Sequence, residues 1–276
     1  MQDMCGPWSF LNWNALSSPD ILYHIFRYPF HGRLSYLFEW TPKLHTLRLP
    51  MKGLSDIPFF LPHNQINNLH LANYKQYSSL LDKFPNIATA TLQKCRLAFY
   101  SPSLIDIPIR KLIVHDTNTN LTRAFDFDTN YPNISKIPHL ASLEVICSEP
   151  LDPSAYTVDI RSIPDLTHSP LTELILTTII INYTKALSLL RIVPQLERLS
   201  IVERMHSHLI TPEFIQELGR PGPEILHALE HLQLVWFGHA DEGAIMDMLG
   251  GRALKSAVIS EWEASPGQIH FLELMF

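Results

Sequence analysis

Apolar residues recur along this chain in one local order: an apolar residue, two variable residues, a second apolar residue, one variable residue, a third apolar residue. Nine segments carry it: Leu44-Leu47-Leu49, Ile66-Leu69-Leu71, Ile87-Ala90-Leu92, Ile109-Leu112-Val114, Leu140-Leu143-Val145, Leu171-Leu174-Leu176, Leu196-Leu199-Ile201, Leu229-Leu232-Leu234 and Leu254-Ala257-Ile259. The last two apolar residues of each lie two apart, so they share one face of an extended strand. Apolar residues make up 46% of the chain, and roughly one window in ten fits the order by chance. The interval therefore carries more weight than any single match. Successive starts lie 22, 21, 22, 31, 31, 25, 33 and 25 residues apart. A doubly wound α/β sheet has no reason to repeat at such an interval.

A second regularity is independent. Proline stands one or two residues before six of the nine starts, at Pro42, Pro85, Pro108, Pro138, Pro170 and Pro194. There it stops a preceding helix and extends the chain ahead of the strand. The repeated phrase is the strand of a leucine-rich repeat, whose usual period is roughly 20–29 residues. The expected fold is an α/β leucine-rich-repeat solenoid, a horseshoe with a parallel concave sheet and irregular helices or loops on its convex side. Residues 1–43 are expected to form an N-terminal cap and 44–276 about nine irregular repeats.

Four convex helices are predicted. Gln76 to Phe84 and Tyr183 to Val193 are each ended by a proline, and Thr211-Pro212-Glu213 caps a third that runs to Gly219. Asp241 to Leu249 is the fourth, with Ile245, Met246 and Leu249 inward and Gly250-Gly251 as its stop. Residues 115–139 and 148–170, behind the two 31-residue intervals, read as loops. Ser18-Pro19-Asp20 opens a capping helix through Phe26, and Phe271 to Leu274 is a candidate edge strand.

Charge and cysteine content change the picture little. The net charge of −6 and the absence of a Lys/Arg run give no sign of nucleic-acid binding. The three cysteines, Cys5, Cys95 and Cys147, are an odd number without CxxC spacing, which argues against a disulfide framework. Cys95 is read as a buried structural thiol. No signal peptide and no membrane span is visible, so a monomer in the cytoplasm or nucleus is expected. No nucleotide-loop, nucleophile-elbow or zinc-protease motif occurs, and neither His206/His208 nor His227/His231 is completed by a third ligand at a recognised spacing. An enzyme, a cofactor or a metal is therefore not expected.

Two groups of segments resemble a known family. Pro7-Trp8-Ser9, Ser18-Pro19-Asp20-Ile21-Leu22 and Tyr28-Pro29 resemble an opening repeat of fungal F-box/leucine-rich-repeat proteins. Leu229 to Leu234, Asp241 to Leu249 and Gly251 to Ser256 resemble the final repeats of the same proteins. The resemblance implies the substrate-binding repeats of an F-box subunit of a cullin–RING ubiquitin ligase, with a ubiquitin-ligase adaptor as partner only where an F-box is present. The chain departs from the family at that module. Ser17 to Phe26 echoes the F-box opening, but serines replace its Leu-Pro pair, and only 17 residues separate Phe26 from Leu44. The segment is read as a capping helix. The alternative function is a stand-alone leucine-rich-repeat scaffold.

Binding is expected on the concave face. Residues two after each start are Thr46, Asn68, Thr89, Lys111, Ser142, Glu173, Arg198, His231 and Ser256. Residues four after are Arg48, His70, Thr91, Ile113, Glu144, Ile175, Ser200, Gln233 and Val258. Alternation turns both rows outward. Candidate contacts to a protein partner are Arg48, His70, Lys111, His115, Glu144, Glu173, Arg198, His231, Gln233 and Trp236. The polarity runs from basic in the N-terminal half to acidic at Glu144 and Glu173. Trp236 is read either as a binding anchor or as packing under the following loop.

Overall fold

The structure is a computed structural model that describes residues 45–50, 63–72, 84–93, 108–116, 138–147, 170–178, 183–203, 209–220, 225–237, 242–262 and 269–275. The expected N-terminal cap, most of the Gln76 to Phe84 helix, the bodies of the two long loops, and Cys5, Cys95, His206 and His208 lie outside these residues.

Each of the nine phrases becomes a strand. They are β1 (Thr46–Pro50), β2 (Asn68–Ala72), β3 (Thr89–Gln93), β4 (Lys111–Asp116), β5 (Ser142–Cys147), β6 (Glu173–Thr177), β7 (Arg198–Val202), β8 (His231–Phe237) and β9 (Ser256–Trp262). They pair in chain order, all parallel, and the register aligns the second and third apolar residues of every phrase with those of the next. The expected edge strand is β10 (Ile269–Met275), antiparallel to β9. This strand order, with the repeat interval, is that of a leucine-rich-repeat solenoid.

The three apolar positions form three ladders along the core. First come Ile66, Ile87, Ile109, Leu140, Leu171, Leu196, Leu229 and Leu254. Then come Leu47, Leu69, Ala90, Leu112, Leu143, Leu174, Leu199, Leu232 and Ala257. Last are Leu71, Leu92, Val114, Val145, Leu176, Ile201, Leu234 and Ile259. None of these is more than 5% exposed. Full burial of one such side chain stabilises by about 1.5–3 kcal/mol, so the ladders are the main source of cohesion.

A backbone ladder fixes where each strand starts. One carbonyl accepts two successive N–H groups of the next repeat: His45 O from Asn67 and Asn68, then Asn67 O from Ala88 and Thr89, and so on to Glu230 O from Lys255 and Ser256. The prolines act just upstream. Phe84-Pro85-Asn86-Ile87 and Val193-Pro194-Gln195-Leu196 are turns closed by Ile87 N to Phe84 O and Leu196 N to Val193 O. Proline sits at the second turn position, which its fixed φ suits.

The inner side of the C-terminal strands is covered by α1 (Tyr183–Ile192), α2 (Pro212–Gly219) and α3 (Glu242–Gly250). They follow β6, β7 and β8 and bury Ala186, Leu187, Leu189 and Leu190, then Phe214, Ile215 and Leu218, then Ile245, Met248 and Leu249. The Thr211 cap forms as expected, its Oγ1 accepting from Phe214 N at 3.2 Å. One expectation is corrected in α3: Met246 is 58% exposed, and Met248 takes the inward place. Positions 245, 248 and 249 are the buried ones, Met248 lying against Gly219 of α2, and Met246 lies about 100° around the helix from Ile245.

The α2–α3 contact is tight. A Cβ on Gly219 would stand 2.8 Å from Met248 Cα. Arg252, just beyond α3, donates to three carbonyls, Leu218 O, Leu226 O (2.8 Å) and Ile225 O (3.1 Å). Leu226 has a positive φ of 51°, a conformation that is costly for a side-chain-bearing residue. Arg252 and Leu229 N both bind its carbonyl and hold it there.

Candidate functional site

The two outward rows read from the sequence are real rows of the sheet. Thr46, Asn68, Thr89, Lys111, Ser142, Glu173, Arg198, His231 and Ser256 are register partners from β1 to β9. So are Arg48, His70, Thr91, Ile113, Glu144, Ile175, Ser200, Gln233 and Val258. Neighbours within a row stand ~4.8 Å apart along the hydrogen-bonding direction. Eight of the ten candidate residues therefore share the concave face: Arg48, His70, Lys111, Glu144, Glu173, Arg198, His231 and Gln233.

A third outward row, six residues after each start, runs through Gln93, His115, Ile146, Thr177 and Val202. Sequence reasoning singled out only His115 in it. The row adds two partly exposed apolar residues, Ile146 and Val202. With Ile113 and Ile175 of the second row they form an apolar belt that zigzags between the two rows from β4 to β7.

Trp236 is a correction. It is 4% exposed and belongs to the core, so it offers little surface to a partner. The reason is parity. Trp236 lies two residues beyond Leu234, and alternation returns it to the inward face.

The expected charge polarity is also altered by pairing. Lys111 Nζ lies 3.8 Å from Glu144 Oε2. Glu173 accepts from Ser142 Oγ at 2.5 Å and lies 4.0 Å from Arg198 Nη1. The middle of the face is thus a set of locally compensated pairs around the apolar belt, not an acidic band. Toward β9 the links are neutral: Ser200 Oγ to Gln233 Oε1 at 2.9 Å, and His231 Nδ1 with Ser256 Oγ at 2.8 Å. At the other end, burial and then the nearby Arg48 hold the His70 imidazole below its ordinary 6.5, against a hydrogen bond that the imidazole donates to the Gln93 side-chain oxygen, which raises it. The net effect favours the neutral imidazole.

One residue near the face went unnoticed in the sequence. Glu203, just after β7, is 2% exposed. Its carboxylate accepts the backbone N–H groups of Leu209 (2.5 Å), Ile210 (3.2 Å) and Phe237 (3.4 Å). Like Trp236 it stands seven residues after a repeat start, the inward position that closes the core edge. Its partners make it a fastener of the chain leaving β7.

No family model matches the chain, and no curated protein matches it. Among solved structures it aligns with the crystal structure of an internalin from Listeria monocytogenes, at 16% identity and a TM-score of 0.46. The alignment covers 84% of this chain and 59% of the internalin chain, so this chain spans about three-fifths of that protein's length. The fold described above rests on strand order, register and repeat interval, not on this likeness.

Proposed function

We propose that this chain is a non-catalytic recognition module that holds a protein partner on its concave face. The observation that carries the reading is the contrast between the two sides of one sheet. The inward ladders stay apolar at every repeat, while the outward rows change chemistry from strand to strand and surround an apolar belt with ion pairs. Partly buried apolar residues inside a polar rim are the arrangement of protein-binding surfaces. The test uses a partner captured with the parent chain. Reversing Glu144→Lys and Glu173→Lys together replaces compensated pairs with repulsion toward Lys111 and Arg198. It is expected to weaken partner binding severalfold at an unchanged fold. Unchanged affinity would remove the belt region from the interface.

Within this reading the chain serves, in the cytoplasm or nucleus, as the substrate-binding repeats of a cullin–RING ligase receptor. The resemblance of segments within residues 7–29 and 229–256 to the repeats of fungal F-box/leucine-rich-repeat proteins supports that role. Titration of the chain with the purified F-box-binding adaptor tests it. Saturable binding lost on Ile21→Ala and Leu22→Ala is expected if residues 17–26 act as an F-box remnant. Absence of binding would leave a recognition module without a ligase connection in this chain.

A further inference from the structure

We propose that the β1–β4 part of the concave face takes an acidic, carboxylate-rich segment of the protein partner, whose adjoining apolar side chains continue onto Ile113, Ile146 and Ile175. This rests on the recognition reading above and specifies the chemistry of the partner. Register sets Arg48, His70 and Thr91 side by side in one row and Gln93 beside His115 in the next. Thr46, Asn68 and Thr89 line the remaining row with hydroxyl and amide groups, ending at Lys111. Among the described residues of β1 to β4 the only carboxyl group is Asp116, at the far end of β4. Lys111 reaches across to Glu144 of β5, whereas Arg48 is exposed and has no ion-pair partner among the described residues.

The groups that face His70 are thus Arg48 from β1, Thr91 and Gln93 from β3, and His115 from β4. Arg48 and His115 both act on it as repulsion, which adds to burial in disfavouring its protonated form. A carboxylate arriving between Arg48, His70 and His115 supplies the missing counter-charge and accepts charge-assisted hydrogen bonds. It also reverses the field at His70 and favours the imidazolium. Binding should therefore take up protons near neutral pH. The belt begins at Ile113 on β4, the strand that also carries His115, so a segment with acidic residues followed by apolar ones spans both surfaces in order.

The experiment uses the full chain and a fluorescein-labelled peptide of consecutive glutamates followed by two leucines, with its lysine counterpart as control. Saturable binding of the glutamate peptide is expected, with none of the lysine peptide. Affinity should fall as salt rises and increase about three- to tenfold from about pH 8 to about pH 6. Arg48→Gln and His70→Gln should each weaken it about two- to fivefold, the range of a single exposed charge pair. Both positions lie outside the core, and thermal melting confirms that the variants fold. Isoleucine methyl resonances of Ile113, Ile146 and Ile175 should shift on binding. No glutamate-peptide binding at any pH, equal binding of the lysine peptide, or indifference to both substitutions would overturn the proposal. If the peptide fails but the Glu144→Lys, Glu173→Lys chain still loses its captured partner, only this inference falls. If the peptide fails and that double variant keeps its partner, the placement of the partner on the concave face falls with it.

Discussion

Replacing Glu203 by leucine tests whether a buried carboxyl group, not only leucine packing, holds the C-terminal repeats together. The carboxylate is 2% exposed and accepts from Leu209 N at 2.5 Å, Ile210 N at 3.2 Å and Phe237 N at 3.4 Å. It ties the chain leaving β7 to the approach to α2 and the end of β8. A hydrogen bond to a charged acceptor contributes about 1.5–3 kcal/mol, and each buried N–H left without a partner costs about 1–3 kcal/mol. The longest contact adds little, so two good bonds set the scale. Glu203→Leu should lose about 3–5 kcal/mol after partial relaxation. Glu203→Gln keeps one oxygen for Leu209 and Ile210 but can turn an amide donor toward Phe237 N, and should lose about 1–2 kcal/mol. Urea unfolding gives the totals, and native-state hydrogen exchange gives the location. Because a solenoid couples mainly neighbouring repeats, exchange at Leu209, Ile210 and Phe237 should accelerate far more than in β2 to β4. A leucine variant within about 0.5 kcal/mol of the parent, or an even rise in exchange along the sheet, would refute the reasoning.

Gly219→Ala places a methyl group 2.8 Å from the Met248 backbone and should destabilise by about 1–3 kcal/mol through overpacking, read as a lowered melting temperature. Arg252→Lys leaves an ammonium that cannot span Leu218 O, Leu226 O and Ile225 O together, and should cost about 1.5–3 kcal/mol in chemical denaturation. His70 has a lowered pKa in the folded chain, so the unfolded chain binds its proton more readily. Its effect on stability is absent well above pH 6.5 and becomes destabilising as pH falls through 6.5 toward the lower folded value. Arg48→Gln removes one of the causes, so an NMR titration of His70 should move upward toward 6.5; an unmoved titration would deny the coupling.

The fold was legible because its determinants are local and repeated. Each phrase needs three apolar residues at fixed offsets, and each offset has one structural meaning: Ile87, Ala90 and Leu92 are all buried, as are Leu196, Leu199 and Ile201. Helix ends were legible where a single residue supplies the mechanism. Thr211 caps α2 through its own hydroxyl, and Pro194 forms the turn after α1. The orientation of α3 was less so. Its apolar residues are crowded, with Ala244, Ile245 and Met246 before Asp247 and Met248 and Leu249 after it, and the close approach at Gly219 selects which methionine is inward.

The candidate site was legible as geometry and not as electrostatics, for a reason that Glu203 and Trp236 make plain. Parity along a strand tells which way a residue points, and it holds one step past the repeated phrase. Had it been carried to the seventh residue after each start, both Trp236 and Glu203 would have been placed inward. Parity does not tell which charges meet. Lys111 and Glu144 occupy different outward rows on adjacent strands, and they are brought within 3.8 Å by a diagonal that no offset along one strand encodes. Glu173 finds Ser142 on one side and Arg198 on the other, within its own row but 31 and 25 residues away in the chain. In a solenoid the distance between lateral neighbours is set by loop lengths, and those vary from repeat to repeat here. A row of charges read in isolation therefore suggests a polar gradient, whereas the folded face compensates its acidic residues internally and leaves Arg48 and His70 without a described acidic residue on their own or adjacent strands. It is this remainder, and not the total charge of the row, that a partner would meet.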